Sequence, residues 1–184
     1  MAAVCLQSSV NTILLIIFLM GSDMPLILTI GPPGAGKTTW AEETFGPAWL
    51  KLERDKLRRA LFGSKENYFN GPMTGKERSR VITAVARQAI NSWPKHKVVC
   101  SDLNLYWFTT QHIVSMFDRR HVSLVVFDIS HNKYLLRNKE REGTDDHVPA
   151  GDIHTYWQEF NSPTAWWRAS EWKDRITTPE TFSL

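Results

Sequence analysis

The stretch Gly31-Pro-Pro-Gly-Ala-Gly-Lys-Thr38 limits what this chain can fold into more than any other. It fits G-x-x-x-x-G-K-[ST] and stands between the apolar run Leu26-Ile-Leu-Thr-Ile30 and a segment of helical character. Glycines let the backbone curl so that successive N–H groups face a phosphate, and the helix that follows adds the positive end of its dipole. The residues assigned to a nucleoside triphosphate are therefore Gly31, Pro32, Pro33, Gly34, Ala35, Gly36, Lys37, Thr38 and Thr39. Lys37 reaches the β- and γ-phosphates, and the Thr38 hydroxyl is a hard oxygen ligand for Mg²⁺. ATP and Mg²⁺ are the expected cofactors, although no base-reading motif separates ATP from GTP.

Beyond this loop, short apolar runs alternate with longer segments of helical period. That order argues for an α/β fold, a P-loop NTPase-like parallel sheet of about four to five strands flanked by helices, with a helical lid bearing arginines. Strands are expected at Leu26–Ile30, Trp49–Leu52, Lys97–Ser101 and Ser123–Phe127. Helices are expected at Thr38–Phe45, Lys56–Phe62, Thr109–Phe117 and Lys133–Lys139, the last capped by Ser130. Thr74-Gly-Lys-Glu77 is a capping box, and Val81, Ile82, Val85, Ala86, Ala89 and Ile90 recur behind it at helical spacing as far as Pro94. Gly63 to Met73, with its Asn, Gly and Pro residues, reads as a loop, and Pro149 opens a last helix to about Phe160. Residues 24–160 form the expected domain. Residues 161–184, with Trp166, Trp167, Trp172 and Phe182, read as an aromatic tail packed on it.

Composition narrows the function classes. At 184 residues, with 22 Lys and Arg against 19 Asp and Glu, the chain is a single domain of ordinary size and a formal charge of +3, which permits nucleic acid without requiring it. Cys5 and Cys100 belong to no CxxC or Cys/His cluster, so zinc and a disulfide scaffold are not expected and a reducing cytoplasm fits. His96, His112, His121 and His131 read as surface or capping residues, and Trp40, Trp93 and Trp157 as core. Residues 1–23 contain no Lys or Arg, and Ile13 to Met20 is apolar throughout. Eight residues do not span a bilayer, and neither a basic n-region nor a small-residue cleavage site is present. The segment reads as an upstream extension from a misassigned start, with a weak interfacial anchor as the alternative, and no stable membrane association is expected.

The second strand leads into Glu53-Arg54-Asp55-Lys56-Leu57-Arg58, which a parallel sheet carries to the same crevice as the phosphate loop. A carboxylate at Asp55 can take the proton of an attacking hydroxyl, and Arg58, on the same helical face, can clamp an anionic acceptor. Helix N-capping is the plainer role for Asp55. Asp102 ends the third strand where a carboxylate holds Mg²⁺ or its water, or where it is a simple turn residue. Arg137 and Arg141, four apart, share a helical face ahead of the polar stretch Glu142 to His147, a lid over the triphosphate. The alternative is a solvated face with Glu140 and Glu142 as ion-pair partners.

Taken in order, Leu28-Thr-Ile-Gly-x-Pro-Gly-x-Gly-Lys-Thr-Thr-Trp40, Arg54-Asp55 with Arg58, Ser101-Asp102-x-Asn104-Leu105, Arg137-Asn138 with Arg141, and Val148-Pro149 resemble the phage-type 5′-polynucleotide kinase domain from Met24 to about Phe160. The resemblance implies transfer of the ATP γ-phosphate to a 5′-hydroxyl of DNA or RNA. Lys37, Asp55 and Arg141 would be catalytic, with Asp55 the general base. Arg58 would hold the acceptor's 3′-phosphate, Asp102 would lie beside the acceptor, and Arg137 and Arg141 would close over the nucleotide. Leu103 stands where the family's phage member carries Thr, and no DxDxT phosphatase motif follows. Two rivals use the same scaffold: a kinase of a small hydroxylated molecule such as a nucleoside, sugar or antibiotic, and an ATPase switch that transfers nothing.

Overall fold

The computed structural model describes residues 25–93, 97–144 and 146–183. The readings made for residues 1–23 and for His96 lie outside the described residues.

Five parallel strands, β1 (Leu26–Ile30), β2 (Trp49–Leu52), β3 (Lys97–Cys100), β4 (Val122–Val126) and β5 (Ile176–Thr177), form one sheet in the order β2-β3-β1-β4-β5. Every residue of β1 is buried, because helices cover both faces of the strand at the centre of the sheet. Leu26, Leu28 and Ile30 pack on one face with Val98, Cys100, Leu124 and Val126, whereas Ile27, Val99 and Val125 pack on the other. Register Leu28↔Cys100, Leu52↔Cys100 and Ile30↔Val126 brings the carboxyl ends of β1 to β4 to one edge. The chain leaves β1 toward one side and later returns to the other, so the crevice of an open α/β sheet lies above β1.

The helices are α1 (Lys37–Thr44), α2 (Arg54–Phe62), α3 (Lys65–Asn70), α4 (Gly75–Ser92), α5 (Trp107–Val114), α6 (His131–Lys139) and α7 (Ala150–Asn161). The capping box of α4 is present in both directions: Glu77 N donates to Thr74 Oγ1 at 3.3 Å and Thr74 N to Glu77 Oε2 at 2.7 Å. Ile82, Ala86 and Ile90, each four apart, form its buried stripe. Ser130 caps α6 by accepting from Lys133 N at 3.3 Å.

The expectation of a loop from Gly63 to Met73 is corrected. Residues 65–70 form α3, started by the Ser64 hydroxyl, which accepts from Asn67 N at 3.0 Å. The Gly and Asn content obscured a helix of six residues. Two 3₁₀ turns, Trp166–Arg168 and Ser170–Arg175, lead from α7 into β5, which pairs with β4 at Leu124↔Ile176. Trp167 and Trp172 are buried in the first cluster, and Phe182 packs in the second, edge-on to Trp40 at 5.4 Å. The segment thus rounds the β5 edge and touches both faces of the sheet.

Candidate active site

The phosphate loop turns from β1 into α1. Gly34 and Gly36 have φ of 78° and 99°, left-handed values that disfavour other residues, and Gly36 forms the N-cap of α1. Lys37 is 5% exposed, and its ammonium donates to Gly31 O at 2.9 Å and Pro32 O at 2.7 Å. Burial pulls its pKa down to about 7, against the opposing pull of the Asp102 carboxylate.

Asp102 closes the other side. Its Oδ1 accepts from Arg54 N at 2.7 Å, so a residue from the end of β3 caps the first turn of α2. Burial pushes the Asp102 carboxyl above its ordinary value, opposed by this hydrogen bond. Asp55 sits one residue inside α2 and is not its N-cap, a position held by Glu53. Its carboxylate faces solvent and pairs with Arg58 one turn on.

Arg58 is held a second time, its guanidinium lying 5.2 Å from the centre of the Tyr68 ring on α3. Arg78 lies 5.0 Å from the same ring. Sequence reasoning missed this pair of contacts because it missed α3; the Ser64 cap was the available signal.

Asn104 is the hub beneath the site. It has φ of 49°, a conformation Asn tolerates, and its amide donates to Thr29 O at 2.9 Å and Cys100 O at 3.2 Å. Gly31 N donates to Leu103 O at 3.3 Å, which joins the phosphate loop to the turn bearing Asp102. The Cys100 thiol is buried and shifted upward by burial, which removes it as a nucleophile.

The two lid arginines do not share a helical face. α6 ends at Lys139, and Arg141 follows in a turn whose N–H donates to Asn138 O at 3.1 Å. Arg137 reaches beneath the phosphate loop and donates from Nη1 to Gly34 O at 2.9 Å, whereas Arg141 lines the cleft. Neither pairs with Glu140 or Glu142 among the described residues. Asn138 bridges the ends of the polar stretch, its amide donating to Val148 O and accepting from Val148 N, each at 2.9 Å. Asp146 is fixed to Arg59 of α2 at 2.9 Å.

Lys37, Thr38, Thr39, Asp55, Arg58, Asp102 and Arg141 thus line one cleft of about 680 Å³, with Pro33, Gly34 and Gly36 at its floor. Tyr68, Phe69, Tyr106, Asp152 and Tyr156, which the sequence did not single out, complete its wall. Gly31, Pro32, Ala35 and Arg137 are not among the residues that line it. A divalent cation has oxygen donors at hand in Thr38 and Asp102, while Glu53, also on the cleft wall, is paired with Lys56 at 3.2 Å. This set suits Mg²⁺, which takes oxygen ligands and keeps part of its water. No cluster of three His, Cys, Asp or Glu that would hold a metal alone occurs among the described residues.

Parallel sheet, glycine loop, buried lysine and crevice define a P-loop nucleotide-binding domain of the kinase-like kind. The chain belongs to the AAA domain family (AAA_33), which matches residues 26–163. No curated protein matches it by sequence. Its fold is similar to a chain of the Pnkp1/Rnl/Hen1 RNA repair complex, with 23% identity and a TM-score of 0.58 over 74% of this chain and 44% of that one. The chain thus spans less than half the length of that relative. Kti12 from Chaetomium thermophilum, solved with ADP-AlF3, is similar with 14% identity, a TM-score of 0.57 and coverage of 84% and 88%. The tunicamycin resistance protein of Deinococcus radiodurans gives 16%, 0.50, 87% and 88%. Among the described residues no helix is long and apolar enough to cross a membrane.

Proposed function

We propose that this protein transfers the γ-phosphate of ATP to the 5′-hydroxyl of DNA or RNA. The observation that carries the reading is the meeting of Lys37, Asp55, Arg58, Asp102 and Arg141 in one cleft. In the transfer, the hydroxyl oxygen bonds to the γ-phosphorus as the bond from that phosphorus to the β,γ-bridging oxygen breaks. The hydroxyl proton passes to the Asp55 carboxylate, and ADP leaves.

The Asp55–Arg58 pair orients the base, since the guanidinium is itself fixed on Tyr68. Arg58 has donors to spare for an acceptor phosphate. Lys37, whose pKa burial draws down to about 7, is held in its protonated form by the negative charge of a bound polyphosphate. Thr38, with Asp102 close by, would hold Mg²⁺, which when bound would supply charge neutralisation at the transferring group. Arg137 braces the phosphate loop through its hydrogen bond to Gly34 O and, with donors left over, stands beside the nucleotide that the loop would hold.

Incubation with γ-labelled ATP, Mg²⁺ and either a 5′-hydroxyl or a 5′-phosphorylated oligonucleotide tests the reading. Label is expected on the hydroxyl substrate alone. Label on neither, with free phosphate released, would replace it by an ATPase; ATP bound without turnover would direct attention to small hydroxylated acceptors. Arg58→Ala should raise KM for the oligonucleotide by about 10- to 100-fold, the worth of a hydrogen bond to a charged group, and leave KM for ATP within about twofold. Steady-state kinetics with each substrate varied in turn reads this, and a rise confined to ATP would count against Arg58 as the acceptor clamp.

A further inference from the structure

α3 sets an aromatic ring at the acceptor side of the cleft that serves neither core. Phe69 is 53% exposed and belongs to neither buried cluster. Its ring lies 5.0 Å from that of Tyr68 with the two planes near perpendicular, at 83°. Tyr68 is engaged by Arg58 and Arg78 and edge-on by Phe62 at 5.3 Å. The two adjacent aromatics therefore differ: Tyr68 holds the clamp arginine, and Phe69 offers a flat apolar surface beside it.

The surrounding charge says what that surface suits. Arg54, Lys56, Arg58 and Arg59 line the same cleft as Phe69. Three carboxylates of the cleft are already paired, Asp55 with Arg58, Asp146 with Arg59 at 2.9 Å and Glu53 with Lys56 at 3.2 Å. A planar apolar group attached to a phosphodiester backbone matches an exposed ring among cations, whereas an apolar peptide or a lipid chain gains nothing from the arginines. Stacking on an aromatic ring tolerates any base, since every base presents a π face.

We infer that Phe69 stacks on the terminal nucleobase of a single-stranded 5′-hydroxyl acceptor while Arg58 holds its phosphate. The inference rests on the end-kinase reading and adds to it a single-stranded terminus with an intact base.

Fluorescence anisotropy of a labelled single-stranded 5′-hydroxyl oligonucleotide, compared with one whose terminal nucleotide is abasic, tests it. The protein variants are the unaltered chain, Phe69→Ala, Phe69→Leu and Phe69→Trp, all at an exposed position where folding is not at stake. The unaltered chain and Phe69→Trp should bind the base-bearing strand about tenfold more tightly than the abasic one. Phe69→Ala and Phe69→Leu should lose that difference and leave ATP affinity unchanged.

Equal binding of the two strands by the unaltered chain, full retention by Phe69→Leu, or a loss seen in ATP affinity would each overturn it, as would failure to bind either strand. Phosphate transfer to both strands at equal efficiency sinks the stacking role and leaves the end-kinase reading standing. Base-dependent binding without any transfer does the reverse.

Discussion

Replacing Arg141 by Ala is expected to lower the rate of phosphoryl transfer by about 10³- to 10⁵-fold, the range over which a positioned arginine stabilises the charge on a transferring phosphoryl group. Arg141 is the arginine beyond the end of α6 that lines the cleft, and its charge is felt at Lys37, whose pKa it helps to lower. The turn that carries it is secured at both ends, by Asn138 on Val148 and by Arg59 on Asp146. Removing the guanidinium therefore leaves the hydrogen bonds that hold the turn in place. Single-turnover measurement at saturating ATP and oligonucleotide isolates the step, and Arg141→Lys should recover only part of the loss because an ammonium lacks the planar fork. A rate within about threefold of the unaltered protein would show that the charge comes from elsewhere in the cleft.

Asp55→Asn should reduce turnover by about 10²- to 10⁴-fold, the usual worth of general-base catalysis, with ATP affinity almost unchanged. The amide is nearly isosteric but takes no proton at neutral pH. Stability should hardly respond: the carboxylate is solvent-exposed, its pair with Arg58 lies at the surface, and the first N–H of α2 is capped by Asp102 instead. This separates Asp55 from the plainer role of helix cap that its position before a helix suggests. Calorimetric ATP titration beside the transfer rate gives both readouts, and undiminished turnover would exclude Asp55 as the base.

Most of the architecture was legible because the local signals agreed. β1, β2 and the bounds of α4 follow from apolar runs and a capping box that tertiary contacts only reinforce. α3 was hidden because six residues with two Asn form no apolar stripe, and with it went the Tyr68 cage around Arg58. The pairing of Arg137 and Arg141 on one face treated Arg141 as helical although the helix was expected to end at Lys139, where it does end; Arg137 reaches the phosphate loop from the helix, and Arg141 lines the cleft from the turn that follows. Asp102 capping α2 was equally beyond reach, since that hydrogen bond spans 48 positions and depends on the register of β2 with β3.

The segment that rounds the sheet edge also sets an order of events during synthesis. Phe182 packs against Trp40 of α1 and Phe45 just past its end, with ring centres 5.4 and 5.9 Å away, and β5 extends the sheet beyond β4. A nascent chain emerging from the ribosome completes the glycine loop long before the residues that cover its helix. Contacts so distant along the chain close slowly, since their loop entropy must be overcome first. Until residues 176–182 arrive, the loop has its sequence but its helix lacks a finished seat, and the apolar face of α1 is what a holdase chaperone would meet.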